Sequence, residues 1–271
     1  MNRHITTAVT RACSIAALLA VVAAPAAAQA EKESKFGISD NSFLVEEAFN
    51  QEEGVFQNIF VMARSQTGDW NGSFTQEWPI GNIRHQFSVT APFAVSGGAP
   101  AVGDGLINYR FQAWSGDGRR PAFSPRLSLV LPTSADRRGL GGRGLGWQMN
   151  LPFSKQSGPI FFHWNVGMTS VRDTEQSSTW LNTPAVGGSI IVAVRPMLNV
   201  MFETYSESRP GDVGREVNTT FAPGVRTGWN VGDTQWVIGM AVPITRGAIH
   251  DVGVLSYLSY ELPFRAIASP K

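Results

Sequence analysis

Three histidines stand beyond residue 30 of the 271-residue chain: His85, His163 and His250. They fall on separate segments, and no metal-ligand spacing links them. A serine nucleophile would need a histidine and a polar orienter brought together by the fold. No nucleophile motif announces one, so His163 is expected to be a structural histidine and no catalytic residue is assigned. The stretch RRGLGGRGLG, Arg137 to Gly146, has the glycines of a phosphate-cradling loop. It lacks the strand before and the helix after that such a loop requires. It reads as a surface loop whose arginines would meet anionic groups. No metal or cofactor is expected.

What remains is a set of charged residues embedded in alternating segments: Glu77, Arg110, Arg126, His163, Arg195, Glu203, Arg226 and Glu261. Around Arg110, the apolar Ile107, Tyr109 and Phe111 alternate with Asn108, Arg110 and Gln112. Around His163, Ile160, Phe162, Trp164, Val166 and Met168 alternate with Phe161, His163, Asn165, Gly167 and Thr169. Period two is the signature of a strand with two unlike faces. About twelve such segments follow one another, near 55–64, 73–80, 84–95, 104–115, 121–133, 145–155, 159–171, 185–195, 198–206, 217–230, 234–245 and 252–264. The connections after even segments are short, such as Gly81-Asn82, Pro196-Met197 and Gly232-Asp233. Those after odd segments are expected to be longer: 65–72, 96–103, 134–144, 172–184, 207–216 and 246–251.

Two architectures alternate in this way. A soluble sandwich buries the apolar face and wets the polar one. A membrane barrel does the reverse, with tight turns on one rim, longer loops on the other and aromatic girdles near the strand ends. Trp78, Trp114, Trp147, Phe153, Trp229 and Trp236 stand near segment ends, and the segments exceed the usual five or six residues of a globular strand. The pattern therefore predicts an all-β fold, a closed antiparallel transmembrane β-barrel of about twelve strands over 55–271. The eight charged residues above would face its lumen. Pro92, Pro125, Pro152, Pro223 and Pro243 fall inside the segments, where proline removes a ladder donor. Each is expected to mark a bulge or a strand end near a rim.

The N-terminus supports an export route. Arg3 and Arg11, an apolar run from Ile15 to Ala24, and Ala28-Gln29-Ala30 read as a signal peptide over 1–30. Without those residues the balance is 20 basic against 21 acidic, which argues against nucleic acid as a partner. The one cysteine, Cys13, lies in the signal, so packing or lipid rather than disulfides must hold the rest. The expected surroundings are a bacterial outer membrane with its lipid and lipopolysaccharide, and the expected state is a monomer.

Between the signal and the first strand lies 31–54, the one stretch with helical spacing. Leu44, Val45, Ala48 and Phe49 form a narrow apolar stripe, with Glu46, Glu47, Asn50 and Gln51 opposite. Asp40, Asn41 or Ser42 would cap it, and Gly54 would end it. A helix this short does not hold alone and must dock. Two places suit it: a cap on the barrel rim, or a plug in the lumen that brings Phe43, Leu44, Glu46, Glu47 and Phe49 against the inward arginines.

Asn41-Ser42-Phe43-Leu44-Val45-Glu46-Glu47-Ala48-Phe49-Asn50-Gln51-Glu52 followed by Gly54-Val55-Phe56-Gln57 resembles the N-terminal signature of a bacterial outer-membrane family labelled "MetA-pathway of phenol degradation", whose members are often called transporters. The resemblance continues through Gly103 to Arg110, Pro125 to Leu129, Gly146 to Pro152 and His163 to Gly167. Phe49 stands where many members carry tyrosine. The resemblance implies an outer-membrane barrel that passes small, aromatic molecules, and no catalytic residues. The expected function is a passive channel for small solutes, with Arg110, Arg126, Arg195 and Arg226 favouring anionic ones. A structural or adhesive barrel with a closed lumen is the alternative, and a lipid-modifying enzyme a third.

Overall fold

A computed structural model of the chain describes residues 37–38, 42–117, 119–133, 144–173, 179–211, 213–232 and 234–264. The signal peptide, Asp40 and Asn41, and most of the Arg137–Gly146 stretch lie outside the described residues.

Twelve strands run in chain order: β1 (Val55–Arg64), β2 (Trp70–Ile80), β3 (Asn82–Ser96), β4 (Ala99–Val102 and Gly105–Phe111), β5 (Ala122–Phe123 and Arg126–Leu131) and β6 (Gly146–Ser157). They continue with β7 (Ile160–Arg172), β8 (Trp180–Arg195), β9 (Leu198–Gly211), β10 (Gly214–Val231), β11 (Thr234–Ala241 and Ile244–Gly247) and β12 (Asp251–Val252 and Val254–Pro263). Each pairs antiparallel with its successor, and β12 returns to β1 with Val55 opposite Pro263 and Arg64 opposite Val254. The sheet is closed, so no row of backbone donors and acceptors is left at an edge. In lipid, which offers no hydrogen bonds, closure is a requirement.

The two faces are inverted relative to a water-soluble protein. Fully buried side chains include Gln86, Gln112, Asn199 and Glu203, whereas Leu127, Val166, Val186, Val200, Phe202, Val225 and Met240 are exposed. A sandwich would hide the second set. A barrel in lipid must expose it. Aromatic rings ring the outer face towards the rim of short turns. Trp114, Phe123, Phe153 and Trp164 pack in series at centroid spacings of 4.7, 4.5 and 5.5 Å, the first pair tilted and the other two stacked. Trp236 joins Trp229 to Tyr260 in the same way.

Three details differ from the sequence expectations. Residues 96–103 and 207–216 are mostly strand rather than long loop, so β3, β4, β9 and β10 stand higher than anticipated. Pro125 and Pro243 do interrupt their strands, but Pro92, Pro152 and Pro223 lie within continuous strands away from the rims. Each of these three sits opposite an interruption in its neighbour. The Pro92 carbonyl accepts the Gly103 N–H (2.8 Å), that of Pro152 the Ser124 N–H (3.3 Å) and that of Pro223 the Val242 N–H (3.0 Å). The missing proline donor is thus aligned with a break in the adjoining ladder. The third difference is the N-terminal segment, which contains no helix among the described residues. Residues 42–53 are bends and irregular chain, and most of them are buried inside the barrel.

Candidate functional site

The segment passes through the half of the lumen nearer the short turns. At one end Gly37 lies by the β8–β9 turn, its carbonyl accepting Gln235 Nε2 (2.8 Å). At the other end the Gly54 carbonyl accepts the Phe264 N–H (2.8 Å) just before β1 begins. Between them the described residues of the segment form no ladder, so their backbone groups must be satisfied otherwise.

Side chains from the wall satisfy them. Glu203 on β9 receives three consecutive donors, with Phe43 N–H to Oε2 at 3.0 Å and Leu44 and Val45 N–H to Oε1 at 3.0 and 3.1 Å. Asn165 on β7 clamps Glu46 from both directions, taking its N–H (2.7 Å) and donating to its carbonyl (2.9 Å). The Ser154 hydroxyl accepts the Ala48 N–H (2.7 Å), Gln112 accepts that of Asn50 (3.1 Å), and Gln86 that of Gln51 (2.6 Å). The Ala48 carbonyl accepts Gln112 Nε2 and the Ser124 hydroxyl, and the Phe49 carbonyl accepts Arg110 (3.0 Å). An unpaired buried donor would cost about 1–3 kcal/mol, so these inward amides and hydroxyls are what permit an irregular strand inside a barrel.

The apolar side chains of the segment face the opposite wall. Phe43 lies 5.2 Å from the Tyr257 ring and packs with Ile59, Met201, Ala222, Ala241 and Leu255. Glycines at inward positions make room. A Cβ on Gly239 would fall 2.3 Å from Phe43 Cζ, and one on Gly224 would fall 2.9 Å from Phe43 Cε2. Gly187 stands against Val45 in the same way, at 3.0 Å.

The charged residues collect where the segment crosses the lumen. Glu46 receives Arg126 Nη2 on Oε1 (2.5 Å) and Arg126 Nε on Oε2 (3.0 Å), and Arg110 Nη2 approaches Oε2 at 3.3 Å. Glu77 stands 3.8 Å from Arg110 and accepts Gln86 Nε2 at 2.7 Å. The four charges balance. All five N–H groups of Arg126 are committed, since Nη1 donates to Asn108 and Ser128 and Nη2 also to Gln148. Arg226 donates Nε to the Asn199 amide oxygen (3.2 Å), and Glu261 accepts Gln51 Nε2 (3.2 Å).

Of the eight residues expected in the lumen, Glu77, Arg110, Arg126, His163, Glu203, Arg226 and Glu261 lie on the inward face. Arg195 does not. A register shift between Ala193 and Arg195 breaks the alternation, and Arg195, opposite Leu198 beside the turn, is exposed at the rim. His163 and Ser154 meet at 2.7 Å, which has the outline of a nucleophile and base. Both are buried, and the serine hydroxyl is occupied on its other side by the Ala48 N–H. The pair holds the segment in place. Among the five segment residues named from the sequence, Phe43, Leu44 and Glu46 make the contacts described above. Glu47 is buried and Phe49 half-buried. Sequence reasoning did not single out Asn165, Gln112, Gln86 or Ser154, nor the inward glycines.

Beside the segment, on the loop side of Glu46, a cavity of about 200 Å³ remains, bounded by Leu44, Glu46, Arg126, Gln148, Thr169 and Tyr205.

No family model matches the chain, and no curated protein sequence does. Solved structures match by shape. An outer-membrane channel from Pseudomonas putida F1 is similar over 83% of this chain and 98% of its own, at 10% identity and a TM-score of 0.54. The NanC porin is similar over 75% of this chain and 98% of its own, at 9% identity and a TM-score of 0.52. The fold is that of an outer-membrane β-barrel.

Proposed function

We propose that the chain is a passive channel for small solutes in a Gram-negative outer membrane, narrowed by its own N-terminal segment. The observation that carries this reading is the cavity left between that segment and a polar wall, inside a barrel whose outer face is apolar. A lumen lined by hydroxyls, amides and balanced charges replaces part of a solute's hydration as it passes. Two solved outer-membrane barrels of similar shape are a channel and a porin. The short-turn rim is assigned to the periplasm and the loop rim to the exterior, following the habit of such barrels. The apolar belt would face lipid and lipopolysaccharide around a monomer. The finer assignment, to the family labelled for phenol degradation, rests on the motifs quoted from the sequence. We assign no catalytic role.

Arg110 and Arg126 are already paired with Glu46 and Glu77, Arg195 is outside the lumen, and Arg226 is buried against Asn199 in a lumen that also holds Glu203 and Glu261, so the arginines give no reason to favour anions. A barrel closed by the segment is the second reading, favoured by the way the wall satisfies its backbone. Planar bilayers separate the two. The full chain should give discrete conductance steps and admit small solutes to liposomes. Removal of 36–53 should raise the conductance of a barrel that still migrates as folded on an unheated gel. Zero conductance and no uptake for the folded full chain would rule the channel out.

A further inference from the structure

We propose that the cavity beside Leu44 and Tyr205 is a binding site for one small uncharged solute bearing a hydroxyl, and that it rejects ions of either sign. The inference rests on the channel reading and names the class of solute. Its volume of about 200 Å³ is modest. A cavity of roughly 150 Å³ accepts a benzene ring, so this one suits a single ring with short substituents, or a chain of that bulk.

The lining has two sides. Leu44, Ala185, Gly167 and Gly187 give an apolar one, and Glu46, Arg126, Gln148 and Asn165 give a polar one. The polar side carries charge yet has none to spare. Every N–H of Arg126 is used, two of them by Glu46. An anion could reach Arg126 only by taking a donor from the neutral Gln148, Asn108 or Ser128 beside the Glu46 carboxylate, or by displacing Glu46. That carboxylate belongs to a residue whose own N–H and carbonyl are both held by Asn165. It is therefore an intramolecular competitor at high effective concentration. A cation could share the Glu46 carboxylate only beside the Arg126 and Arg110 guanidiniums already paired with it, or by displacing them against the same tethering. Either ion would meet a like charge at close range in a partly buried site, or leave a charged partner unpaired, and both cost more than an unmade neutral hydrogen bond.

A neutral hydroxyl displaces nothing. The Thr169 hydroxyl accepts Gln148 Nε2 at 2.8 Å, which leaves its own proton to donate. Tyr205, whose phenol can donate or accept, also borders the cavity. The Glu46 side chain keeps 27% of its surface accessible and has lone pairs for a further donor. One hydroxyl can therefore donate and accept here while the carbon skeleton lies against Leu44 and the glycines.

The test uses the purified full chain in detergent and three probes of one shape: 4-hydroxybenzyl alcohol, 4-hydroxybenzoate and 4-hydroxybenzylamine. Binding is read by ligand-observed NMR, with protein-free micelles as the blank for partition and with Ala185→Trp, which fills the cavity, as the test of the site. The alcohol should bind about tenfold or more tightly than either ion, the difference expected for one charge left unpaired. Ala185→Trp should abolish that binding, and Tyr205→Phe should weaken it several-fold while remaining folded. Equal or tighter binding of either ion overturns the inference, as does alcohol binding that survives Ala185→Trp. Conductance is measured separately. A silent barrel with the predicted binding pattern removes the channel and keeps the site, whereas a conducting barrel without discrimination removes the site alone.

Discussion

Two walls of the lumen hold the N-terminal segment, and they do so by different physics. On β10, β11 and β12, Phe43 sits among Gly224, Gly239, Ala222, Ala241, Tyr257 and Leu255. That contact is non-directional and depends on shape, so it tolerates sliding but not added volume. On β3 to β7, the segment is held by amides, hydroxyls and a charge cluster, each aimed at one backbone atom or one carboxylate. That contact is directional and fixes register. Together they place an irregular strand at one height in the barrel. The apolar wall keeps the segment inside, and the polar wall sets which residue crosses the lumen. Glu203 on β9 stands between the two and addresses the backbone of Phe43, Leu44 and Val45.

The largest effect should come from filling the apolar wall. Gly239→Val puts a branched side chain where even a Cβ would come within 2.3 Å of the Phe43 ring. The barrel strand tolerates valine well, because a β-branched residue suits a pleated surface. The ring has no such freedom and must leave its socket. Conductance should rise several-fold, approaching that of the 36–53 deletion, in a barrel that still shows heat-modifiable migration. An unchanged conductance would mean that the socket does not hold the segment. Ser88→Val, a similar change on the polar side at an inward position remote from Phe43, should have a much smaller effect.

A smaller effect is expected at the junction. Glu203→Gln keeps the size but replaces one acceptor oxygen by an amide group, which faces three N–H donors and can satisfy fewer of them. Hydrogen bonds to charged groups are each worth about 1.5–3 kcal/mol. Local opening of 43–45 should therefore become roughly tenfold or more frequent, with the barrel ladder unaffected. Amide hydrogen exchange measures it, since it reports local opening separately from global unfolding. Equal protection of 43–45 in both proteins would show that the apolar wall alone suffices.

The same contrast explains what the sequence made legible. Twelve strands, their alternation and the inward face could be read because period two carries all three, and one misplaced phase would turn every side chain over. β1 was found at 55–64 even though its alternation is poor. Arg195 was misplaced because a bulge changes the phase within a strand, and a bulge has no periodic signal. The segment read as helical because Leu44, Val45, Ala48 and Phe49 fall three and four apart. Spacing of that kind stabilises a helix only where the backbone has no better partners. Here Glu203, Asn165, Ser154, Gln112 and Gln86 are those partners, and they come from strands far away in sequence. A signal was present nonetheless: glycines at inward phase on β8, β10 and β11, where an empty-walled barrel would have no use for missing side chains.

The smallest effect, and the one that tests the polar wall most directly, concerns charge. Arg126→Met removes the guanidinium but keeps much of its bulk, which leaves the cluster of Glu46, Glu77 and Arg110 with one net negative charge. Screening at about 0.15 M salt, where the Debye length is near 8 Å, limits how far that charge is felt. Cation over chloride permeability should rise by about threefold rather than by orders of magnitude. Glu46→Gln should shift it by a similar factor towards chloride. If the two residues act as a pair, as their 2.5 Å contact indicates, the double variant should return close to the parent selectivity. Reversal potentials in a salt gradient give all four corners of the cycle. A double variant that keeps the full shift of Arg126→Met would show that ions pass where Glu46 does not stand, and that the segment narrows the lumen without setting its charge.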